Sequence, residues 1–311
     1  MNSTIARQVG GEDMSGKLKM TLAMLIFGSI GLFVKNIDLS SSEIALFRGI
    51  ISSLFLIAIS FLLKKNLRFR TTKKNIILLL FSGAAIGFNW IFLFEAYRYT
   101  TISNATLSYY FAPIFVMLLA PFILKEQLTL GKVGSIVTAM VGLFLIVGTD
   151  SSSNSEYHHV TGIMYGLLAA AFYASVILMN KFIKNLSDYE ATVAQLGLAS
   201  IVLLPYVLFN ESFNLTTLNT TSILFILIVG VIHTGLAYVF YFSAIKELNG
   251  HAIAIFSYID PISAVMMAAI FLSESMSAAQ VIGGVFILGS TYLSERKGIK
   301  LFKRERNSIQ R

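Results

Sequence analysis

The 311-residue sequence contains no cysteine, which removes disulfides, iron–sulfur clusters, thiolate metal sites and cysteine nucleophiles together. Charge is also scarce: Asp, Glu, Lys and Arg supply 13% of positions, while proline occurs four times and tryptophan once. No glycine-rich loop followed by Lys and Ser/Thr is present, so the chain carries no phosphate cradle of the kind that drives ATP-powered pumps. Apolar residues fill the space instead. Hydrophobic residues make up 56% of the chain, 25 of them Phe, and mean hydropathy is +0.75. This composition describes a polytopic membrane protein rather than a soluble enzyme. With about 20 residues per span, ten spans leave only short loops and two tails, so function must lie within the bilayer.

The pattern predicts an all-α membrane protein with ten transmembrane helices. They run from Leu18 to Ile37, Glu43 to Leu63, Ile76 to Tyr97, Ile102 to Leu124 and Leu130 to Gly148, then from Gly162 to Ile183, Ala191 to Phe209, Ser222 to Ile245, Ala252 to Leu272 and Ala278 to Leu293. Lys and Arg concentrate in cytoplasmic loops. Ten helices with an internal amino terminus place 21 of the 24 basic residues inside, leaving Lys35 and Arg98 outside and Arg48 within the second span. Both termini are therefore expected in the cytoplasm. The net charge of +8 then reads as an orientation signal and an anchor to anionic membrane lipid, and no nucleic-acid partner is expected. The first span is too long for a signal-peptide core and lacks a small-residue cleavage site. The triplet at Asn214 reads as a chance sequon rather than a glycosylation site.

A displacement of 148 residues aligns Leu79 to Thr129 with Leu227 to Ser277 without a gap, with eleven of 51 pairs identical. The landmarks carry the match: Gly87 meets Gly235, Phe92 meets Phe240, Tyr110 meets Tyr258, Pro113 meets Pro261 and Glu126 meets Glu274. Slightly smaller offsets pair Lys35 with Lys181 and Arg48 with Gln195. Five helices per unit is an odd number, so the second unit enters the membrane from the opposite side and the two repeats are inverted. The expected divisions are a tail over 1–17, a first repeat over 18–148, an outer linker over 149–159, a second repeat over 160–295 and a basic tail over 296–311. Inverted repeats are the architecture of many secondary transporters, in which the substrate sits near the midplane between halves that expose it alternately.

Several short stretches, in order, carry a family resemblance: Phe27-Gly28-Ser29 leading to Lys35, Leu46-Phe47-Arg48, Tyr110 with Pro113, Leu124-Lys125-Glu126-Gln127-Leu128, and in the second half Tyr258, Asp260-Pro261 and Leu272-Ser273-Glu274-Ser275. In these the chain resembles the EamA-type ten-helix branch of the drug/metabolite transporter superfamily, over nearly its whole length. Phe27 stands where such proteins commonly have Trp, and Lys125 and Ser273 stand where Gly often precedes the Glu. The resemblance implies transport of small organic solutes, often by proton exchange, through a cavity lined by helices one, three, four, six, eight and nine. Helices five and ten become scaffold, and a homodimer formed through them is an arrangement the resemblance allows. A bacterial cell membrane is the expected location.

Asp260 falls near the middle of the ninth helix, where a charge costs about 2.5 to 3.5 kcal/mol even on an insertion scale. Its repeat mate is Ala112, so it lies outside the shared scaffold. Proton carrier and counter-ion for a cationic substrate both fit, against a structural Asp hydrogen-bonded beside Pro261. His233 lies at a similar depth opposite Ala85, and either exchanges protons or joins helices as a neutral ring. Contact between the two would make a relay. Asn89, Trp90, Tyr109, Tyr110, Tyr173, Tyr238 and Tyr258 fall in the helices assigned to the cavity, where aromatic faces attract ammonium groups or simply pack. Arg48 is expected to pair with Glu43 or reach the interface, with carboxylate binding as the functional alternative.

Glu126 and Glu274 read as structural caps or gates, Glu95 as a local partner of Arg98, Pro113 and Pro261 as kinks able to gate, and Gly87 and Gly235 as close-contact positions. His158 and His159 lack spaced partners for a metal, and neither metal nor cofactor is expected. The sequence thus favours a gradient-coupled, proton-exchanging carrier of a small organic metabolite, an amino acid or amine, working by alternating access. A lipid-modifying intramembrane enzyme and a passive channel or scramblase are the alternatives, the first lacking a convergent nucleophile and base.

Overall fold

The computed structural model describes the backbone over residues 2–62, 64, 72–148, 158–211 and 219–309, with side chains described over 14–62, 64, 72–148, 158–211, 219–250 and 252–293. The triplet at Asn214 and most of the linker over 149–159 lie outside the described residues. All regular structure among the described residues is helical: α1 (Asn2–Val34), α2 (Ser41–Leu62), α3 (Lys73–Tyr99), α4 (Ile102–Tyr109), α5 (Ala112–Ile123), α6 (Leu130–Gly148), α7 (His159–Asn180), α8 (Asp188–Asn210), α9 (Thr220–Ile228), a π-helical segment Val229–Leu236, α10 (Ala237–Glu247), α11 (Gly250–Ser257), α12 (Ile259–Phe271) and α13 (Ala278–Ile309). Helices dominate because bilayer hydrocarbon offers no partner to a free backbone amide, so each segment must satisfy its own.

Among the described residues nine segments are long and apolar enough to cross a membrane, and Ala278–Leu293 supplies a shorter tenth. Three of these spans are composite. Ile102–Ile123 joins α4 to α5, Thr220–Glu247 joins α9, the π segment and α10, and Ala252–Phe271 combines most of α11 with α12. The breaks between α4 and α5 and between α11 and α12 sit at Pro113 and Pro261, each in the first turn of the second half-helix, where the missing amide of proline interrupts the ladder.

Local signals set the starts. Thr72, Thr101, Asn219 and Asn249 each accept a hydrogen bond from the amide three residues on, and Ser187 with Glu190 forms a reciprocal capping box. Phe61, Phe122, Phe144, Phe209 and Phe271 are exposed on the outer surface, where lipid is the solvent.

Chain direction reverses from span to span, so Glu126 and Lys181 fall at one end of the bundle and Glu274 and Lys35 at the other. Two inverted halves result. Within them the helices pack as two groups: α1 lies against α10, the π segment and α12, while α3 and α7 lie against each other, α7 also against α4 and α5. A further pair, α6 and α13, crosses at Gly142 and Gly283, where an added Cβ on either would approach the other's carbonyl to 2.6 or 2.5 Å. Helices five and ten of the sequence reading therefore embrace each other within one chain. The two expected close-contact glycines behave similarly: a Cβ at Gly87 would meet Leu203 at 3.0 Å, and one at Gly235 would meet Phe55 at 2.3 Å.

Candidate functional site

The cleft between the two helix groups gathers most of the polar and aromatic residues singled out above. Asp260, in the first turn of α12, is half-buried, and its Oδ2 accepts a hydrogen bond from the Tyr110 hydroxyl at 2.6 Å. No Lys or Arg among the described residues pairs with it. Tyr109 stands edge-on to Tyr110 with ring centroids 6.1 Å apart and leans on Tyr173 at 5.6 Å. Tyr173 is 40% exposed although it contacts rings inside the bundle, so that exposure faces the cleft. Asn89 is 2% exposed, donates to the Ala169 carbonyl at 2.7 Å and comes within hydrogen-bonding reach of Tyr109. Tyr238 closes the ring of aromatics, with Phe27 and Phe242 at 5.5 and 5.7 Å.

Arg48 departs from expectation. It neither pairs with Glu43 nor reaches the interface: it is 5% exposed, its guanidinium carbon lies 4.3 Å from the Trp90 ring centroid and 5.7 Å from that of Phe94, and its Nε donates to Thr234 Oγ1 at 2.7 Å. Its two terminal nitrogens have no hydrogen-bond partner among the described residues. Glu43 instead turns back to cap α2, accepting the Ser40 amide at 2.9 Å, because a carboxylate at a helix start satisfies amides that have no intrahelical acceptor. Tyr97 and Tyr109 each lie within electrostatic range of both Arg48 and Asp260. The two opposite charges thus face a shared set of phenols without pairing to each other.

His233 and Asp260 form no relay. The His233 ring is 2% exposed, with Nε2 2.9 Å from Ser29 Oγ, Nδ1 3.4 Å from the Ile228 carbonyl and the Phe33 ring centroid at 4.7 Å. It serves as a joint between the π segment and α1. The cause is the wider turn: each residue added to a helix rotates the following face by roughly 100°, and π turns often occur at functional sites. The same turn aims Thr234 at Arg48 while the Thr234 hydroxyl bonds the Val229 carbonyl at 3.0 Å. Tyr258, the repeat mate of Tyr110, packs edge-on against Tyr292 of α13 at 5.7 Å.

Tyr97 and Thr234 were not singled out by the sequence. Tyr97 is 4% exposed and also lines a recess of about 370 Å³ at the Lys35 end, with Lys35, Asp38 and Arg98. It thus lies between that recess and the charges of Arg48 and Asp260, within electrostatic range of both. Its only sequence signal was its place one turn beyond Asn89 to Leu93 on α3. His159 bonds Thr100 at 2.7 Å where α7 begins, and Glu95 pairs with Arg98 at 3.5 Å.

A family model for the EamA-like transporter family matches residues 14–148 and again 160–295. The chain belongs to this family of transporters. It is an integral membrane protein with a two-repeat architecture, and among similar proteins is the uncharacterised transporter YxxF of Bacillus subtilis, 32% identical over 91% of this chain and 90% of that one. The "Probable amino-acid metabolite efflux pump" of Salmonella typhimurium is 25% identical over 71% of this chain and 77% of its own. The pseudopaline exporter CntI of Pseudomonas aeruginosa is 25% identical over 88% and 93%. A solved crystal structure superimposes with a TM-score of 0.64 at 16% identity, covering 93% of this chain and 99% of the other, a likeness of fold alone.

Proposed function

We propose that the chain is a secondary-active, proton-coupled carrier that moves a small zwitterionic metabolite, an amino acid or a close derivative, across a bacterial cell membrane by alternating access. The observation that carries this reading is the pair of unmatched charges in one phenol-lined cleft. Arg48 offers two free terminal nitrogens, the fork that fits a carboxylate. Asp260 has one phenolic donor among the described residues and is half-buried, so its carboxylate could still receive an ammonium. Tyr109, Tyr173 and Tyr238 supply aromatic faces for the cation, worth roughly 2 kcal/mol when desolvated. An uncompensated guanidinium in a low-dielectric setting is costly, and a bound carboxylate would relieve that cost.

Asp260 is also the group that could take up a proton when no ammonium is present, which would couple release of substrate to proton entry. The positive-inside distribution supports both termini in the cytoplasm. Two relatives carry names that describe outward transport, one a probable amino-acid metabolite efflux pump and the other a pseudopaline exporter, which supports export as the direction. The test is flux in proteoliposomes: with a proton gradient imposed, the purified protein is expected to drive a labelled amino-acid pool against its gradient, and an uncoupler is expected to abolish this. A complete lack of flux across the amino-acid pool would overturn the reading.

A further inference from the structure

Glu126 and Glu274 occupy the same loop geometry at opposite ends of the molecule. Each follows a residue in the left-handed region, Lys125 at φ 57° and Ser273 at φ 55°. Each returns its amide to a carbonyl six residues back, Glu126 to Ala120 at 3.4 Å and Glu274 to Ala268 at 3.3 Å. Their surroundings differ completely. The Glu274 side chain is 7% exposed and crosses to the start of α4, where Oε1 accepts the Ile102 amide at 2.8 Å and the Lys35 ammonium at 3.2 Å, and Oε2 accepts the Ser103 amide at 3.2 Å and its hydroxyl at 3.0 Å. The Glu126 side chain is 43% exposed and, among the described residues, bonds only Lys132, at 2.9 Å.

The counterpart of the α4 start is the α11 start. Thr101 and Asn249 are N-caps at equivalent positions 148 residues apart, which makes the amides at 250 and 251 the mates of those at 102 and 103. Asn249 and Gly250 are exposed, and a Cβ on Gly250 would meet nothing within 4 Å. Lys181, the mate of Lys35, is exposed and already within electrostatic range of Glu126. The half-helices agree: α4 packs against α12 at the Glu274 end, whereas α5 and α11 have no comparable packing at the Glu126 end.

We infer that the two glutamates form an alternating latch. Glu274 closes its end by binding the α4 start and Lys35, and in the opposite conformer Glu126 leaves Lys132 to bind the α11 start and Lys181 while Glu274 lets go. In inverted repeats the opposite state arises when the two halves exchange conformations, and a carboxylate on the free amides of a helix start is a charge-assisted contact strong enough to hold one state. The latch rests on the alternating-access reading above for its role, but its geometry can be tested without substrate.

The natural absence of cysteine permits paired spin labels at equivalent exposed positions, Arg98→Cys with Ser275→Cys at one end and Gln127→Cys with Lys246→Cys at the other. Distances are read by double electron–electron resonance in lipid nanodiscs. Glu274→Gln is expected to raise the population of the longer distance at the 98/275 pair at least about tenfold and to shorten the 127/246 distance in step. Glu126→Gln added to it should reverse the 127/246 shortening. Unchanged distributions in Glu274→Gln would overturn the latch, as would opening at 98/275 without closure at 127/246. Should Glu274→Gln fail to fold, Glu274→Asp retains the charge, shortens the reach and is read in the same way. Exchanging distances in a protein that moves no amino acid would sink the substrate reading and leave the latch standing; transport with immobile distances would do the reverse.

Discussion

The half-helices α4 and α11 are repeat mates with opposite fates. Every residue from Ile102 to Ser108 is buried, with Glu274 fastened to the first two amides, whereas no described residue of α11 is buried and its start, capped by Asn249, is exposed. Shared sequence therefore sets the parts, namely a cap, a proline break and a glutamate after a left-handed turn. What differs is the packing around them, with Glu274 fastened to α4 and Glu126 held by Lys132. A second comparison concerns residues the repeats do not share. Gln195, the mate of Arg48, is a neutral amide bonded to Ser82 at 2.8 Å and Asn180 at 2.6 Å, while Arg48 keeps a charge facing the cleft. Ala112, the mate of Asp260, is 2% exposed core. On the proposed function, the parts assigned to movement are shared by the repeats and those assigned to recognition are not.

Making the halves more alike should abolish recognition first. Arg48→Gln, which installs the residue of the other repeat, is expected to lower amino-acid counterflow at least about 100-fold, equivalent to about 2.7 kcal/mol, with a thermal midpoint within a few degrees of the parent because a desolvated charge has been removed. Asp260→Asn should lower gradient-driven flux about 30-fold, about 2 kcal/mol, while the Tyr110 hydroxyl retains an acceptor; equal loss of folded protein and flux would return Asp260 to a structural role.

Packing differences between the halves come next. At Gly28 a Cβ would stand 2.1 Å from Ser263 Oγ and 2.7 Å from the Asp260 carbonyl, so Gly28→Ala should destabilise by about 1 to 3 kcal/mol, measured as a lower melting temperature. Gly250→Ala, in open space at the α11 start, should change stability by less than about 1 kcal/mol.

The smallest effect concerns the exposed glutamate. A hydrogen bond from Lys132 holds the Glu126 carboxyl below its ordinary range, so the pair stabilises the folded chain above the unfolded value of about 4.3 and loses that contribution as pH falls through the lower folded value. At this exposure the contribution is under about 1 kcal/mol. Lys132→Ala should therefore lower the melting temperature slightly at pH 7 and by progressively less as pH falls below about 4.3.

Much of the fold was legible because bilayer physics leaves few options. Span lengths, the proline breaks and the inverted repeat follow from hydropathy, from a missing amide and from an odd helix count. Among the candidate residues Asp260 and His233 stood out because they break the repeat, whereas Arg48 read chiefly as a structural partner of Glu43. Orientation was not legible. The pairing of Arg48 with Glu43 looked natural at a spacing of five, yet a carboxylate near a helix start finds backbone amides closer than a guanidinium. The π segment left no mark on hydropathy, because one widened turn changes direction without changing composition, and it diverts His233 to Ser29 and Thr234 to Arg48. Tyr258 matched Tyr110 in sequence but packs on Tyr292, since α11, which it caps, lies against α13.

The account stands most directly on recognition of both ends of one substrate by Arg48 and Asp260. Counterflow in proteoliposomes with a labelled amino acid, its decarboxylated amine and its deaminated acid tests this in one experiment. The account predicts that the amino acid exchanges at least tenfold faster than either analogue, and that Arg48→Gln removes its advantage over the amine while Asp260→Asn removes its advantage over the acid. Equal exchange of all three by the parent protein, or discrimination that survives both substitutions, would contradict it.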